Sequence, residues 1–206
     1  MTGTAEPQAA AVTVSPEDLA RSQVYALLAA LLFKPPEPAL LQALRDLEAP
    51  GPESGQEMAA AWGALKQAAA RAEATAVADE YQELFIGVSR GELVPYGSWY
   101  LTGFLMERPL AELRVDLKRF GFERQQGVSE PEDHAAALCE TMGLIASSAE
   151  FDLETQRQFF GKHLDPWMGR FFRDLTTARS ASFYRAVGLL GDRFLEVERT
   201  YLSMLV

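Results

Sequence analysis

Apolar residues recur at helical spacing along the chain, and no segment sustains the period-two alternation expected of a half-buried strand. Helix breakers such as Pro35, Pro36 and Pro109 separate the apolar stretches. One stretch shows the buried stripe of a helix clearly, through Leu110, Leu113, Leu117 and Phe120. The spacing predicts an all-α fold, with a single globular domain of about ten helices.

Capping residues and breakers give approximate bounds for these helices. Ser15 and Pro16 mark the first start, because a serine hydroxyl accepts from an orphan backbone N–H and proline misses no donor there. Further caps are predicted at Gly87, Ser98, Asp165 and, in a capping box with Glu132, Ser129. The predicted helices cover about residues 16–33, 37–47, 57–72, 76–86, 99–106, 109–120, 130–145, 151–160, 166–176 and 181–205.

The chain divides into a tail and one domain. Residues 1–14 are rich in alanine and are predicted to form a disordered tail, which has neither the basic nor the apolar region of a secretory signal. Residues 15–206 are predicted to form the domain. Its polar connector at 122–129 is predicted to be a hinge between an N-terminal helical group and a C-terminal group at 130–206.

Charge and cysteine content narrow the location and the partners. The chain has 19 lysine and arginine residues against 29 aspartate and glutamate residues, a net charge of −10. Nucleic acid demands a basic face, so a basic partner is favoured instead, although solubility alone also accounts for the charge. A single cysteine, Cys139, cannot form an internal disulfide, and the longest apolar stretch, Val24–Phe33, is too short to span a membrane. We expect a cytoplasmic protein without stable membrane insertion.

The sequence offers no assembled catalytic or metal site. Cys139 lies in an alanine-rich helical segment and is predicted to be a small buried apolar side chain. Asp133 and His134 are neighbours, yet adjacent residues of a helix point about 100° apart. No phosphate-binding loop, dinucleotide-binding glycine pattern or zinc-protease motif is present in the sequence. We therefore predict that the chain is not an enzyme.

Three features exceed what a generic helical protein requires. The first places aromatic residues on both sides of a loop, 88–97, where Tyr96 stands between proline and glycine as a recognition element would. The second is the acidic segment Glu130–His134, which suits a helix start but leaves His134 unexplained. The third, an aromatic run at 159–172, is predicted to be a core layer.

Taken in order, these features resemble the TorD/DmsD family of redox-enzyme maturation chaperones. The resemblance extends over about residues 22–205 and depends on five motifs in the family's order. The matching residues are Tyr81, Leu84, Phe85, Gly87; Pro95, Tyr96, Ser98, Tyr100; Glu130, Pro131, Asp133, His134; Phe159, His163, Leu164, Trp167; Phe183 and Tyr184.

The resemblance implies a cytoplasmic all-α chaperone that binds the twin-arginine leader of a molybdopterin oxidoreductase catalytic subunit until its cofactor is inserted. The only further ligand that it suggests is weakly bound GTP. Leader-binding roles are implied for Tyr96, Ser98, Trp99, Glu130, Asp133 and His134. Structural roles are implied for Tyr81, Leu84, Phe85, Gly87, Pro95, Pro131 and Trp167.

The chain departs from the family at two positions. Val88 stands where many members have proline, and Gly97 stands where glutamate is common. At position 97 the loop therefore lacks the carboxylate that such members carry.

The expected ligand matches the residues chemically, because guanidinium groups pair bidentately with carboxylates and an apolar segment needs an apolar groove. Two other functions stay open. The first is a helical adaptor, and the second is a protein that binds GTP weakly or hydrolyses it slowly. The client and the choice between monomer and homodimer also stay open.

Overall fold

Ten α-helices account for most of the residues that the computed structural model describes, which are 14–48, 55–88, 90–123 and 130–204. The helices are α1 Pro16–Phe33, α2 Pro38–Asp46, α3 Gln56–Arg71, α4 Ala74–Tyr81, α5 Gly97–Thr102, α6 Arg108–Arg119, α7 Ala135–Ala146, α8 Leu153–Phe159, α9 Met168–Thr177 and α10 Phe183–Ser203. Turns of π-helix at Gln82–Ile86 and Phe160–Leu164 continue α4 and α8. The predicted all-α fold of about ten helices is confirmed.

Parts of the predicted organisation lie outside the described residues. They are nearly all of the tail at 1–14, most of the hinge at 122–129, and the capping residue Ser129. Among the described residues, every helix is too short or too polar for a membrane span.

Local capping explains where α1 and the turn after α4 begin and end. The Ser15 hydroxyl accepts from the Asp18 N–H at 3.0 Å, and α1 ends where Lys34 adopts an extended conformation before two prolines. Gly87 closes the π-helical turn with a left-handed φ of 63° and donates its N–H to the Gln82 carbonyl at 2.7 Å. These caps are confirmed as predicted.

The predicted N-cap at Asp165 is wrong. Asp165 has helical φ and ψ values of −54° and −39°, because the turn before it continues, and an N-cap needs an extended backbone. Helix α9 begins at Met168 with Trp167 before it. The Asp165 carboxylate instead accepts from the Arg199 guanidinium of α10.

The predicted helix start near Ser129 is also wrong. Helix α7 begins at Ala135, because the segment before it pairs with another part of the chain instead of coiling. The Glu132 carboxylate, which the capping box would direct to the backbone, accepts from Arg114 of α6 at 2.8 Å.

The hydrophobic core joins helices from both sides of the predicted hinge. Helix α1 lies along α7, and α3 lies along α10. Helix α7 approaches α1 closely at Gly143, where a Cβ would lie 3.3 Å from the Ser22 carbonyl oxygen and 3.3 Å from the Tyr25 Cβ. One cluster of buried side chains therefore contains members of both helical groups.

Aromatic rings fill the part of this core next to the loop at 88–97. Trp167, Phe171 and Phe172 are buried, as a core layer requires. The Phe85 ring meets the Tyr184 ring with centroids 5.4 Å apart, and the Tyr81 ring lies 5.8 Å from the same partner. The residues at the end of α4 thus fix the entry to the loop against α10.

A buried ion pair fastens α1 to α10. The Arg21 guanidinium donates to both oxygens of Glu198, at 2.6 and 2.8 Å, and Tyr25 donates its hydroxyl to the same carboxylate at 2.8 Å. A further Arg21 nitrogen donates to Gln156 of α8 at 2.7 Å. Burial of both charges makes the network costly to break, because removal of Glu198 takes away the carboxylate that Arg21 and Tyr25 share and leaves the buried guanidinium with Asp18 as its remaining ionic partner among the described residues.

Replacing Glu198 by alanine should therefore lower the free energy of unfolding by about 3–5 kcal/mol, measured by urea denaturation at pH 7. Glu196→Ala is the matched control on the same helix, since Glu196 makes a surface pair with Arg193. The unfolding free energy of this variant should fall by at most about 1 kcal/mol. Equal losses in the two variants would show that the buried pair has no special weight.

Candidate functional site

The structure brings two of the sequence motifs together at one bridge. Tyr96 and His134 form an isolated antiparallel bridge, although 38 positions separate them in the chain. The Ala135 N–H donates to the Pro95 carbonyl at 2.8 Å, and the Gly97 N–H donates to the Asp133 carbonyl at 2.9 Å. The loop before α5 and the segment before α7 therefore form one surface, and we treat it as the candidate site.

Asp133 locks this junction from the inside. Its Oδ2 accepts from the Ser98 N–H at 2.7 Å and from the Ser98 hydroxyl. Both side chains are buried, with Asp133 2% exposed and Ser98 fully covered. The Asp133 Oδ1 is also buried and has no hydrogen-bond partner among the described residues. Asp133 thus serves as the cap that the first turn of α5 lacks locally.

The predicted N-cap at Ser98 is accordingly wrong. Helix α5 already includes Gly97 and Ser98, and Tyr96 occupies the cap position with no side-chain cap bond. The helix ends at Thr102, earlier than predicted, because Gly103 turns left-handed with φ of 84°. Ser98 instead donates its N–H and its hydroxyl to Asp133, and we call this pairing the Asp133 clamp.

The accessible groups of the site are Tyr96, Glu130 and Trp99. Tyr96 is half-buried and donates its hydroxyl to the exposed carboxylate of Glu130. Burial, together with this hydrogen bond and the charge of Glu130, raises the pKa of Tyr96 above its usual value. The Trp99 ring carries the Arg90 guanidinium 5.0 Å from its centroid, a cation–π contact within the chain. The site therefore has a carboxylate oriented by Tyr96 and, on α5, an aromatic face that pairs with a guanidinium of the same chain.

His134 is a neutral, buried member of the site. Its Nδ1 accepts from the Ala136 N–H at 3.1 Å, which caps α7, and its ring meets the Tyr96 ring edge-on at 5.0 Å. Burial lowers the pKa of His134 to about 4, and the carboxylates of Glu130 and Asp133 only partly oppose this. The imidazole is uncharged at neutral pH for this reason.

Trp167 explains why the loop has glycine at position 97. A Cβ at Gly97 would lie 3.1 Å from the Trp167 Nε1, which donates to the His163 carbonyl at 2.8 Å. A Cβ at 97 would therefore require the indole to shift by a few tenths of an ångström. The nearby carboxylate comes from Glu130, on the other segment of the bridge.

Two features of this surface escaped the sequence analysis. Arg114 of α6 holds Glu132 from 18 positions away, and no local pattern signals such a pair. The apolar residues at 104–106, which were predicted to be helical, lie exposed in the connection between α5 and α6. Gly103, in the middle of the predicted helix, was the available sequence signal, because glycine often ends a helix in the left-handed conformation.

The described residues contain no group of three or more potential metal ligands. Cys139 is fully buried, and burial raises the pKa of its thiol, so it acts as a small apolar side chain as predicted. The arrangement at the bridge suits recognition of a cationic group.

The buried His134 should make stability fall in acid. Its pKa is about 4 in the folded chain and about 6.5 when unfolded, so the unfolded state gains a proton first as the pH falls. Between pH 7.5 and pH 5 this costs about 2 kcal/mol of unfolding free energy. His134→Asn keeps a capping side chain that does not titrate. Over the same pH range, its unfolding free energy, measured by urea denaturation, should therefore fall by about 2 kcal/mol less than that of the wild type. An equal loss in both proteins would rule out the proton linkage.

The Asp133 clamp should be visible in hydrogen exchange. In Asp133→Ala the Ser98 amide loses its acceptor, so its exchange should accelerate at least about tenfold and the unfolding free energy should fall by about 1–2 kcal/mol. Asp133→Asn retains an oxygen that accepts from Ser98 and should keep most of the protection. Unchanged Ser98 exchange in Asp133→Ala would contradict the clamp.

Comparison with known proteins gives the family. Residues 52–173 match the family described as nitrate reductase delta subunit. Chaperone protein TorD of Vibrio cholerae is 27% identical over 140 residues, which cover 63% of this chain and 64% of the relative. The TorD protein of Vibrio vulnificus is 28% identical over 137 residues, covering 61% of this chain and 64% of the relative. The chain thus spans somewhat less than two thirds of the length of these curated relatives.

A solved structure has the same fold. It is described as a redox enzyme maturation protein from Archaeoglobus fulgidus, with a TM-score of 0.58 and 18% identity, covering 85% of this chain and 93% of that one. The family match extends over more than half of the 206 residues. The resemblance to the TorD/DmsD family is thereby confirmed, and the chain belongs to the TorD-like family described as nitrate reductase delta subunit.

Proposed function

We propose that this chain is a cytoplasmic chaperone that binds the twin-arginine leader and the apo-form of a molybdopterin oxidoreductase. It assists cofactor insertion and delays export, and it catalyses no reaction. The observation that carries the proposal is the exposed Glu130 carboxylate, fixed by the Tyr96 hydroxyl where the two motif segments meet. The curated relatives support it, since they are named as chaperones.

The site suits a leader arginine for a geometric reason. A guanidinium group prefers a carboxylate whose two oxygens are held in place, because the pairing is bidentate and planar. One oxygen of Glu130 accepts from Tyr96, so the carboxylate stays oriented while its side chain remains at the surface. The net charge of −10 also favours capture of a basic segment.

The six residues assigned to leader binding divide into two classes in this proposal. Tyr96, Trp99 and Glu130 are accessible and contact the leader. Ser98, Asp133 and His134 are buried and position the first three. Asp133 thus positions the site and does not contact the leader, because its side chain is buried and its clamp on Ser98 occupies one carboxylate oxygen.

A single titration series tests the proposal. Calorimetry with a twin-arginine leader peptide should give roughly micromolar affinity for the wild type, and a peptide with both arginines replaced by alanine should bind at least about tenfold more weakly. Glu130→Gln should lose about tenfold in affinity for the twin-arginine peptide, because it removes the charge but keeps the size. Tyr96→Phe should lose less affinity, since it removes the hydroxyl that orients Glu130 but keeps the carboxylate.

Glu154→Gln is the control, because it also removes a surface carboxylate but lies on α8 and pairs with Arg157. Its affinity should equal that of the wild type. A wild-type protein that binds neither a leader peptide nor the apo-enzyme would refute the chaperone proposal. Wild-type affinity in Glu130→Gln would remove that carboxylate from the site.

A further inference from the structure

The end of α5 and its connection to α6 expose an unusual run of large apolar side chains. Leu101 is 43% exposed, Phe104 68%, Leu105 46% and Met106 72%. We call residues 101–106 the apolar loop. Elsewhere in the described residues, exposed large apolar side chains stand singly or in one close pair along the sequence. A contiguous exposed apolar patch is typical of a surface that binds another molecule.

The apolar loop is held in one shape by its own hydrogen bonds. The Thr102 hydroxyl donates to the Ser98 carbonyl at 2.8 Å and accepts from the Phe104 N–H at 3.2 Å. Gly103 donates its N–H to the Trp99 carbonyl at 2.8 Å. Met106 adopts a left-handed φ of 59°, which is strained for a residue with a side chain. These bonds hold the backbone at 102–104, and the exposed side chains of Leu105 and Met106 follow directly.

The apolar loop and the Glu130 carboxylate lie at opposite ends of the same short helix. Glu130 is bonded to Tyr96, which directly precedes α5, and the apolar loop includes the last residues of α5 and the connection to α6. Six residues of α-helix rise about 9 Å, which an extended peptide spans with about three residues. The surface is thus acidic at the start of α5 and apolar at its end.

We infer that the apolar loop receives the apolar segment that lies after the two arginines of the client leader. The inference rests on the proposed function, and it adds where on the chain the second half of the leader binds. The order of charges supports it, since the Glu130 carboxylate bonds the residue before α5 and the apolar side chains lie at the other end of that helix, about 9 Å along its axis. The partner is therefore a peptide that is cationic first and apolar next.

The test compares two peptides with a loop variant that preserves the fold. Phe104→Ser combined with Met106→Asn removes two exposed apolar side chains, and asparagine tolerates the left-handed backbone at 106. One peptide is the full leader, and the other has the leucines of its apolar segment replaced by serine. By calorimetry, the double variant should bind the full leader about tenfold more weakly and should bind the serine peptide as the wild type does.

Phe33→Ser is the matched control, because Phe33 is 60% exposed but lies at the end of α1. It should leave both affinities unchanged. A photoreactive group in the apolar segment of the full leader gives an independent readout, and mass spectrometry should locate its cross-link within residues 101–106. A cross-link confined to another part of the chain would overturn the inference.

The outcomes separate this inference from the function on which it rests. If the wild type and the double variant bind the full leader equally, the apolar loop is not the site, while the chaperone proposal stands. If the wild type binds no leader, the chaperone proposal itself fails. If light scattering shows a wild-type dimer that the double variant converts to a monomer without a change in leader affinity, the apolar loop is a self-association surface and the inference is wrong.

Discussion

The Asp133 clamp is the interaction on which the rest of the site depends. A carboxylate from the segment before α7 caps the first turn of α5, and backbone hydrogen bonds on either side align Tyr96 with His134. Six residues are too few to form a stable helix on their own, so α5 depends on this cap. The clamp therefore determines both where Tyr96 meets Glu130 and where the apolar loop begins.

The same device recurs at the start of α10. The Glu80 carboxylate, from α4, accepts from the N–H groups of Ser182, Phe183 and Tyr184 at 2.7–3.0 Å. In both places the cap comes from a residue distant in sequence, and the helix start has no side-chain cap of its own. Capping across the core ties helices of the N-terminal half to helices of the C-terminal half, as the Arg21–Glu198 pair does for α1 and α10.

These distant caps explain why only part of the fold could be predicted from the sequence. The number of helices, the start of α1 and the turn at Gly87 are set by apolar spacing and by neighbours within a few positions, so they were predictable. The starts of α5 and α7 were misplaced, because Ser98 and Ser129 look like local caps while the actual constraint is a bridge between segments 38 positions apart. The motif residues were identified through the family resemblance, but their burial depends on packing that no local pattern encodes.

Burial also determines which side chains of the site carry a charge. A charged imidazolium at position 134 would lie against Tyr96 and compete with an incoming guanidinium for Glu130. Burial keeps His134 neutral, and its Nδ1 is used to cap α7, so the ring contributes shape without positive charge. The exposed carboxylate that Tyr96 orients can then pair with a ligand. In the proposed function, the attraction for cations would therefore come from Glu130, and the exposed apolar side chains at the end of α5 would receive the adjoining apolar segment.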